Sequence, residues 1–415
     1  MRPKKITTPG IHSRIWFVAI TSMFYLIFLS FGLSNLMGIP SIANGELFTD
    51  AWAQVLTAVA CDQGYGTWYG RVCFVPDIDS DPRGQTYGIW LLLHKAGLTT
   101  YGQTVVIAVV SIAILIATLS SLTANDSRFT LVYSLTAISP SIHFAIERAN
   151  SDVIIVIGII LSAWLFSMNK ISTKLLSQMV LGLMMALKIY PAIATLTALP
   201  FLERSPKRAL VVLCAAATTA LAIMTIGLEE IAMLGDHAPQ GLTPFSSGFL
   251  FYLKKSQAIE FYVCIVAAII SISMGFLFSE DPEIRNDSRF QYIAFSISSI
   301  IFISLYAIKT SYDYRWVIMT PAIFFMITIV AKTKKAHGQW PKIPIIIISS
   351  FFISSWSLPF LDLDDSNKDR LAILIKQVAA NVCVFGSLGV LLRFLWADLH
   401  SDCDKTRSNM IESGS

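Results

Sequence analysis

Charge is scarce in this chain. Lys, Arg, Asp and Glu together make up 14% of its 415 residues, hydrophobic types make up 54%, and the mean hydropathy is +0.64. A soluble domain cannot cover its surface with so few charges, so the composition excludes that class and points to a bundle of membrane helices. Histidine and cysteine are just as sparse, at six of each. No Cys-x-x-Cys or Cys/His spacing suggests zinc, so no metal is expected. A dinucleotide fingerprint, a P-loop and a nucleic-acid patch are all lacking, and no nucleic acid or bound cofactor is expected. The chain also lacks an internal repeat, which argues against a transporter built from two inverted halves.

What is abundant is the long apolar run. Hydropathy predicts an all-α polytopic membrane protein of about 12 transmembrane helices (range 10–13), at ~20 residues per span. They fall near 15–37, 102–123, 129–145, 152–168, 173–188, 190–202, 208–227, 258–278, 290–308, 316–331, 343–360 and 371–396. Segments 129–145 and 190–202 are short enough to be half-spanning or tilted. The first run, Ile15–Met37, is too long for the apolar part of a signal peptide and reads as a retained helix. Tyr87–Leu98 is a further apolar piece that dips toward the membrane without crossing it.

The alternate segments 1–14, 124–128, 169–174, 203–208, 279–289, 332–342 and 393–415 hold 19 of the 31 Lys and Arg but only 10 of the 27 Asp and Glu. The positive-inside rule makes these the cytoplasmic side, with both termini inside. The organisation is then a cytoplasmic N-terminus (1–14), one transmembrane domain (15–396) whose first outer loop is 38–100, and a cytoplasmic tail (397–415). That topology opens 38–100, Glu147–Asp152, Lys188–Tyr190, 228–257 and Ser311–Arg315 on one common outer face.

Glu147, Arg148 and Asp152 interrupt two apolar runs, Phe129–Phe144 and Val153–Ser167. A charge at the mouth of a membrane helix is costly unless it meets a partner or a wet cavity, so this stretch is the first functional candidate. In the outer loop, Trp52, Val55, Leu56 and Val59 recur at helical spacing, which predicts an amphipathic helix lying on the membrane surface. Thr49 or Asp50 suits its N-cap. The alternative for Asp50 is a carboxylate at the interface that takes a proton from a hydroxyl. Cys61 and Cys73 share this loop, and both a disulfide and two free thiols fit their spacing. Asp77, Asp79 and Asp81 lack the Gly and Glu of a calcium loop and read as solvated, with Arg83 beside them.

Lys188 closes the run Leu181–Leu187 just before Tyr190 and Pro191, where it either snorkels to water or points into a cavity. Asp313 and Arg315 sit at another outer helix end within Ser-Tyr-Asp-Tyr-Arg, where a local salt bridge is the plainer account. Together, Arg148, Lys188 and Arg315 beside carboxylates suit an anionic headgroup, which Arg can grip bidentately.

Three pieces carry a resemblance: Glu147-Arg148-Ala149-Asn150-Ser151-Asp152 opening one helix, Gly182…Ala186-Leu187-Lys188-Ile189-Tyr190-Pro191 closing the next, and Tyr312-Asp313-Tyr314-Arg315 near the start of a later one. In order and apolar spacing over roughly residues 45–330, the chain resembles the integral-membrane glycosyltransferases of the GT-C class. It is most similar to the bacterial branch holding the polyprenol-phosphate-mannose-dependent mannosyltransferases. The resemblance implies a bacterial inner-membrane, periplasm-facing transferase. Its donor is a polyprenyl-phosphate sugar, its acceptor a lipid- or glycan-linked hydroxyl, and membrane lipids surround both. It assigns Asp50 as general base. Arg148, Lys188 and Arg315 then hold the donor phosphate, while Glu147, Asp152 and Asp313 orient those cations beside Tyr190. The chain departs from the pattern at Ala149, where the family usually has Gly, and at Gln85-Thr86-Tyr87-Gly88, where Tyr-Pro-Pro is common. The rival readings are a flippase or transporter of lipid-linked saccharides and a polysaccharide polymerase or ligase. The first wants polar groups at mid-membrane, and the second wants more Arg on the outer loops than Arg71 and Arg83 supply. Lys376, inside the last span, is left unassigned.

Overall fold

Apolar runs become helices here because, in hydrocarbon, each backbone N–H and C=O must find its partner within its own segment. The computed structural model describes residues 9–31, 33, 47–69, 72–74, 85–124, 126–168, 170–188, 190–196, 202–203, 206–219, 246–247, 258–278, 282–308, 311–356 and 369–413. Among the described residues, six helices are long and apolar enough to cross a bilayer: Ile11–Phe31, Tyr101–Leu122, Ile259–Phe276, Arg289–Tyr306, Arg315–His337 and Leu371–Asp398. A bent pair, Ser127–Ala137 with Pro140–Glu147, makes a seventh if it counts as one crossing. By length and composition the chain is a polytopic membrane protein.

The helices, in order, are α1 (Pro9–Phe31), α2 (Thr49–Asp62), α3 (Gly88–Lys95), α4 (Tyr101–Leu122), α5 (Thr130–Ala137), α6 (Pro140–Glu147), α7 (Asp152–Ser167), α8 (Ile171–Leu187) and α9 (Pro191–Leu196). A helical stretch over 206–219 (α10) follows, then α11 (Ala258–Phe276), α12 (Pro282–Asp287), α13 (Arg289–Ile308), α14 (Thr320–His337), α15 (Lys342–Ser355) and α16 (Asp369–Ser413). The first helix lies earlier than the expected 15–37. The last runs well past the expected boundary at 396. Helices α7, α8 and α15 have only 16, 17 and 14 residues. At 1.5 Å per residue they reach roughly 20–25 Å, short of a ~30 Å hydrocarbon layer.

The expected all-α character holds in the membrane segments, and among the described residues strands are confined to short pieces between helices. The first long loop contains a small antiparallel sheet of β1 (Thr67–Tyr69), β2 (Val72–Phe74) and β3 (Gln85–Tyr87), in that order, with Trp68 opposite Cys73 and Cys73 opposite Thr86. A second pair joins β4 (Ser246–Ser247) to β5 (Ser311–Tyr312). The expected helix of this loop is present. The buried face of α2 is Ala51, Val55 and Ala58, closed by Trp90 and Leu98, while Leu56 is 42% exposed. Its apolar stripe is satisfied by α3 and the chain just after it. Tyr87–Leu98 is therefore a packing partner for α2.

Helix α14 is the centre of the bundle, buried on every side from Thr320 to Ala331, as expected of a helix apolar all round. Phe324 meets Phe17 of α1 and Tyr133 of α5 edge-on at 5.7 and 4.9 Å. Tyr133 also hydrogen-bonds Thr328 at 2.8 Å. The run over 129–145, expected as a short half-spanning or tilted segment, is two helices bent by 55°. Pro140 opens the second of them, and a proline lacks the N–H that would continue the first helix and disfavours helical backbone at Ser139. Helices α11 and α16 touch at glycines: a Cβ added at Gly389 would sit 2.2 Å from the Ile272 carbonyl oxygen. Small residues let membrane helices approach this closely.

Candidate functional site

The site is built on the corner between α6 and α7. Helix α6 stops because Ala149 turns left-handed, with φ 47°, a conformation uncommon for any residue with a Cβ. The turn aims the carbonyls of Glu147 and Arg148 at the start of α2, where they accept hydrogen bonds from the Phe48 N–H at 2.7 Å and the Asp50 N–H at 3.1 Å. Phe48, also left-handed at φ 64°, is the N-cap residue of α2 and caps it with no side-chain bond. Neither Thr49 nor Asp50 takes that role. A main-chain carbonyl already satisfies one of the exposed N–H groups of the first turn, which leaves the Asp50 carboxylate free to turn elsewhere.

That carboxylate turns to the corner. Arg148 donates its Nε–H to Asp50 Oδ1 at 2.8 Å, and Asn150 donates its amide to Oδ2 at 2.9 Å. The Asn150 oxygen accepts from Lys188 Nζ at 2.9 Å and from the Asp152 backbone N–H at 3.1 Å. Lys188, just past the end of α8, also donates to Asp152 Oδ1 at 2.6 Å, and the Tyr190 hydroxyl donates to the same oxygen. Asp50, Arg148, Asn150, Asp152, Lys188 and Tyr190 thus form one hydrogen-bonded chain that joins the start of α2, the end of α6, the start of α7 and the end of α8. Asp152 is fully buried, while the Asp50 and Arg148 side chains each remain 20% exposed. Arg148 also lies over the Phe144 ring at 5.2 Å.

The other candidates are placed less closely. Arg315, half-buried, lies in the 3-10 segment Asp313–Met319, which packs against α6 and α7. Its charge acts on Lys188. The side chain of Asp313 lies outside the described residues. Glu147 is buried, and its carbonyl is the one that holds Phe48. Cys61 and Cys73 form a disulfide that ties the end of α2 to the middle strand of the sheet. Asp77, Asp79, Asp81, Arg71, Arg83, Lys254 and Lys255 lie outside the described residues. Among the described residues, no group of three His, Cys, Asp or Glu is placed to hold a metal ion.

Sequence reasoning missed Asn150 as a site residue. It carries no charge, and after Ala149 it reads as an ordinary turn amide. The available signal was its place between Arg148 and Asp152, both already singled out. A cleft lined chiefly by apolar residues begins beside it, between Ala108 and Ser111 of α4 and Val153 of α7, roofed by Ala51 and Trp90. Ile107 of the same wall is exposed along the face of α4 that also shows Val106 and Val110. Searches against family models, curated proteins and solved structures return no match.

Proposed function

We propose that this chain is a GT-C-type glycosyltransferase of the bacterial inner membrane. It moves a hexose or pentose from a polyprenyl-phosphate donor to a hydroxyl of a lipid- or glycan-linked acceptor. Its membrane domain crosses about twelve times, both termini are cytoplasmic, and the site faces the periplasm or exterior. The observation that carries the reading is the single polar network joining Asp50 to Arg148 and Lys188 where apolar helices end. The cleft that starts at Asn150 and reaches the exposed face of α4 supports a lipid-tethered substrate.

The chemistry needs few protein groups. A sugar on a lipid phosphate brings its own leaving group, so one carboxylate suffices to take the acceptor proton, unlike the two carboxylates of glycoside hydrolysis. Each Asp50 oxygen accepts one bond from the protein and keeps a second lone pair for the acceptor hydroxyl. As the acceptor O–H passes its proton to Asp50, that oxygen bonds to the anomeric carbon from the side opposite the phosphate. The bond from that carbon to the phosphate oxygen breaks, its electron pair stays on the phosphate, and the configuration inverts. Among the described residues, Arg148 spends only its Nε on Asp50, which leaves its terminal nitrogens for the developing phosphate charge. Lys188, steadied by Asp152 and Tyr190, supplies a second cation and Arg315 a third.

The test is incubation of the purified protein with radiolabelled polyprenyl-phosphate mannose, glucose, galactose and arabinose, one at a time, scoring label lost from the lipid. One of them is discharged by the wild type, and Asp50→Asn lowers that rate roughly 10²–10⁴-fold while the protein still inserts. Transfer by Asp50→Asn at the wild-type rate would sink the assignment of the base. No discharge of any of the four donors would sink the donor class.

A further inference from the structure

We infer that Asn150 is a positioning residue that sets the Asp50 carboxylate and the Lys188 ammonium relative to each other. The inference rests on the reading of Asp50 as general base. Asn150 is 6% exposed, and both ends of its amide are engaged. The amide has one workable orientation. Flipped, its NH2 would face the Lys188 ammonium and the Asp152 N–H, and its oxygen would face the Asp50 carboxylate. The carboxylate of Asp50 therefore always meets an N–H, and Lys188 always meets an oxygen.

The consequence is a division of labour. Without the bridge, Asp50 and Lys188 are opposite charges at the same corner, and a direct pair would consume the lone pairs that the acceptor needs. A neutral amide between them holds Lys188 toward Asp152 and leaves the open side of Asp50 to substrate. The charged and titratable groups around Asp50 come from every neighbouring element. Glu147 and Arg148 lie at the corner itself, Asp152 on α7, Lys188 and Tyr190 beyond α8, and Arg315 on the 3-10 segment. Tyr101 lies against Trp52 of α2, and Asp62 with His94 and Lys95 sits at its far end. None of these supplies a neutral donor to Asp50 Oδ2 in the described structure; Asn150 does.

Asn150→Asp is the decisive variant, because it keeps the shape and adds a negative charge beside Asp50. With the donor that the wild type discharges, the acid limb of the kcat profile moves to higher pH by about one unit, since a second carboxylate makes ionisation of the first costlier. The rate recovers toward alkaline pH. Asn150→Ala lowers kcat by roughly 10²-fold, with a smaller change in donor KM. A residue that only packs would cost folded protein rather than kcat per folded molecule in Asn150→Ala; an unchanged kcat there, or an unmoved limb in Asn150→Asp, overturns the inference. The pH profile is read per folded molecule, with the folded fraction measured by size exclusion in detergent. Asp50→Asn is run alongside. If it retains transfer, the base assignment and this inference fall together. If it is inactive while the Asn150→Asp limb stays put, only this inference falls.

Discussion

Lys174, near the start of α8, pairs with Glu203 in the same kind of charge-assisted bond that joins Asp50 to Arg148 in the cluster at the helix's other end, ~20 Å away. The settings differ. Lys174 is 0% and Glu203 4% exposed, and the ammonium also lies 5.2 Å from the Phe166 ring. Asp50 and Arg148 are each 20% exposed and keep unspent lone pairs and N–H groups. The first pair is sealed and works for the fold. The second is fastened by main-chain bonds and partly exposed, as the proposed site would require. Exposure, more than pairing, is what distinguishes the Asp50–Arg148 pair from the Lys174–Glu203 pair.

The comparison can be broken most directly at Glu203. Glu203→Ala strips the buried ammonium of its carboxylate and is expected to cost about 3–5 kcal/mol of stability, measured by thermal unfolding in detergent. Asp50→Asn in the same assay is expected to cost less than about 1 kcal/mol. Equal losses would mean that both pairs are structural. A smaller effect sharpens the contrast at a contact with no charge at all. Gly389→Val brings a side chain against the Ile272 carbonyl and is expected to cost about 1–3 kcal/mol, with transfer per folded molecule unchanged. The smallest effect belongs to the corner. Ala149→Gly relieves a left-handed Cβ and is expected to stabilise by less than about 1 kcal/mol; no gain in melting temperature would show that the turn is not strained.

The charged members of the site were legible because ionised residues stand out against apolar runs. Arg148, Asp152 and Lys188 could be picked from the sequence on cost alone, and the structure joins them through Asn150. Asn150 itself could not, because a neutral amide in a turn costs nothing that composition reveals. Lys174 and Glu203 read as members of two separate short charged segments, since nothing in the sequence says that they meet. The packing partner of α2 was not legible for a related reason. Helical spacing marks an apolar stripe without saying whether lipid or Trp90 will cover it. Helix positions were legible to within a turn or two in most of the described membrane segments, whereas the break at Ser139–Pro140 looked like a short span.

The two main-chain bonds from Phe48 and Asp50 to the carbonyls of Glu147 and Arg148 have a practical consequence. Because no side chain takes part, the Asp50→Asn protein, which on the proposed reading loses transfer, should keep the outline of its parent, clamp included. On that reading such a twin is the natural bait: imaging it with each candidate sugar lipid would identify the molecule that the proposed site receives.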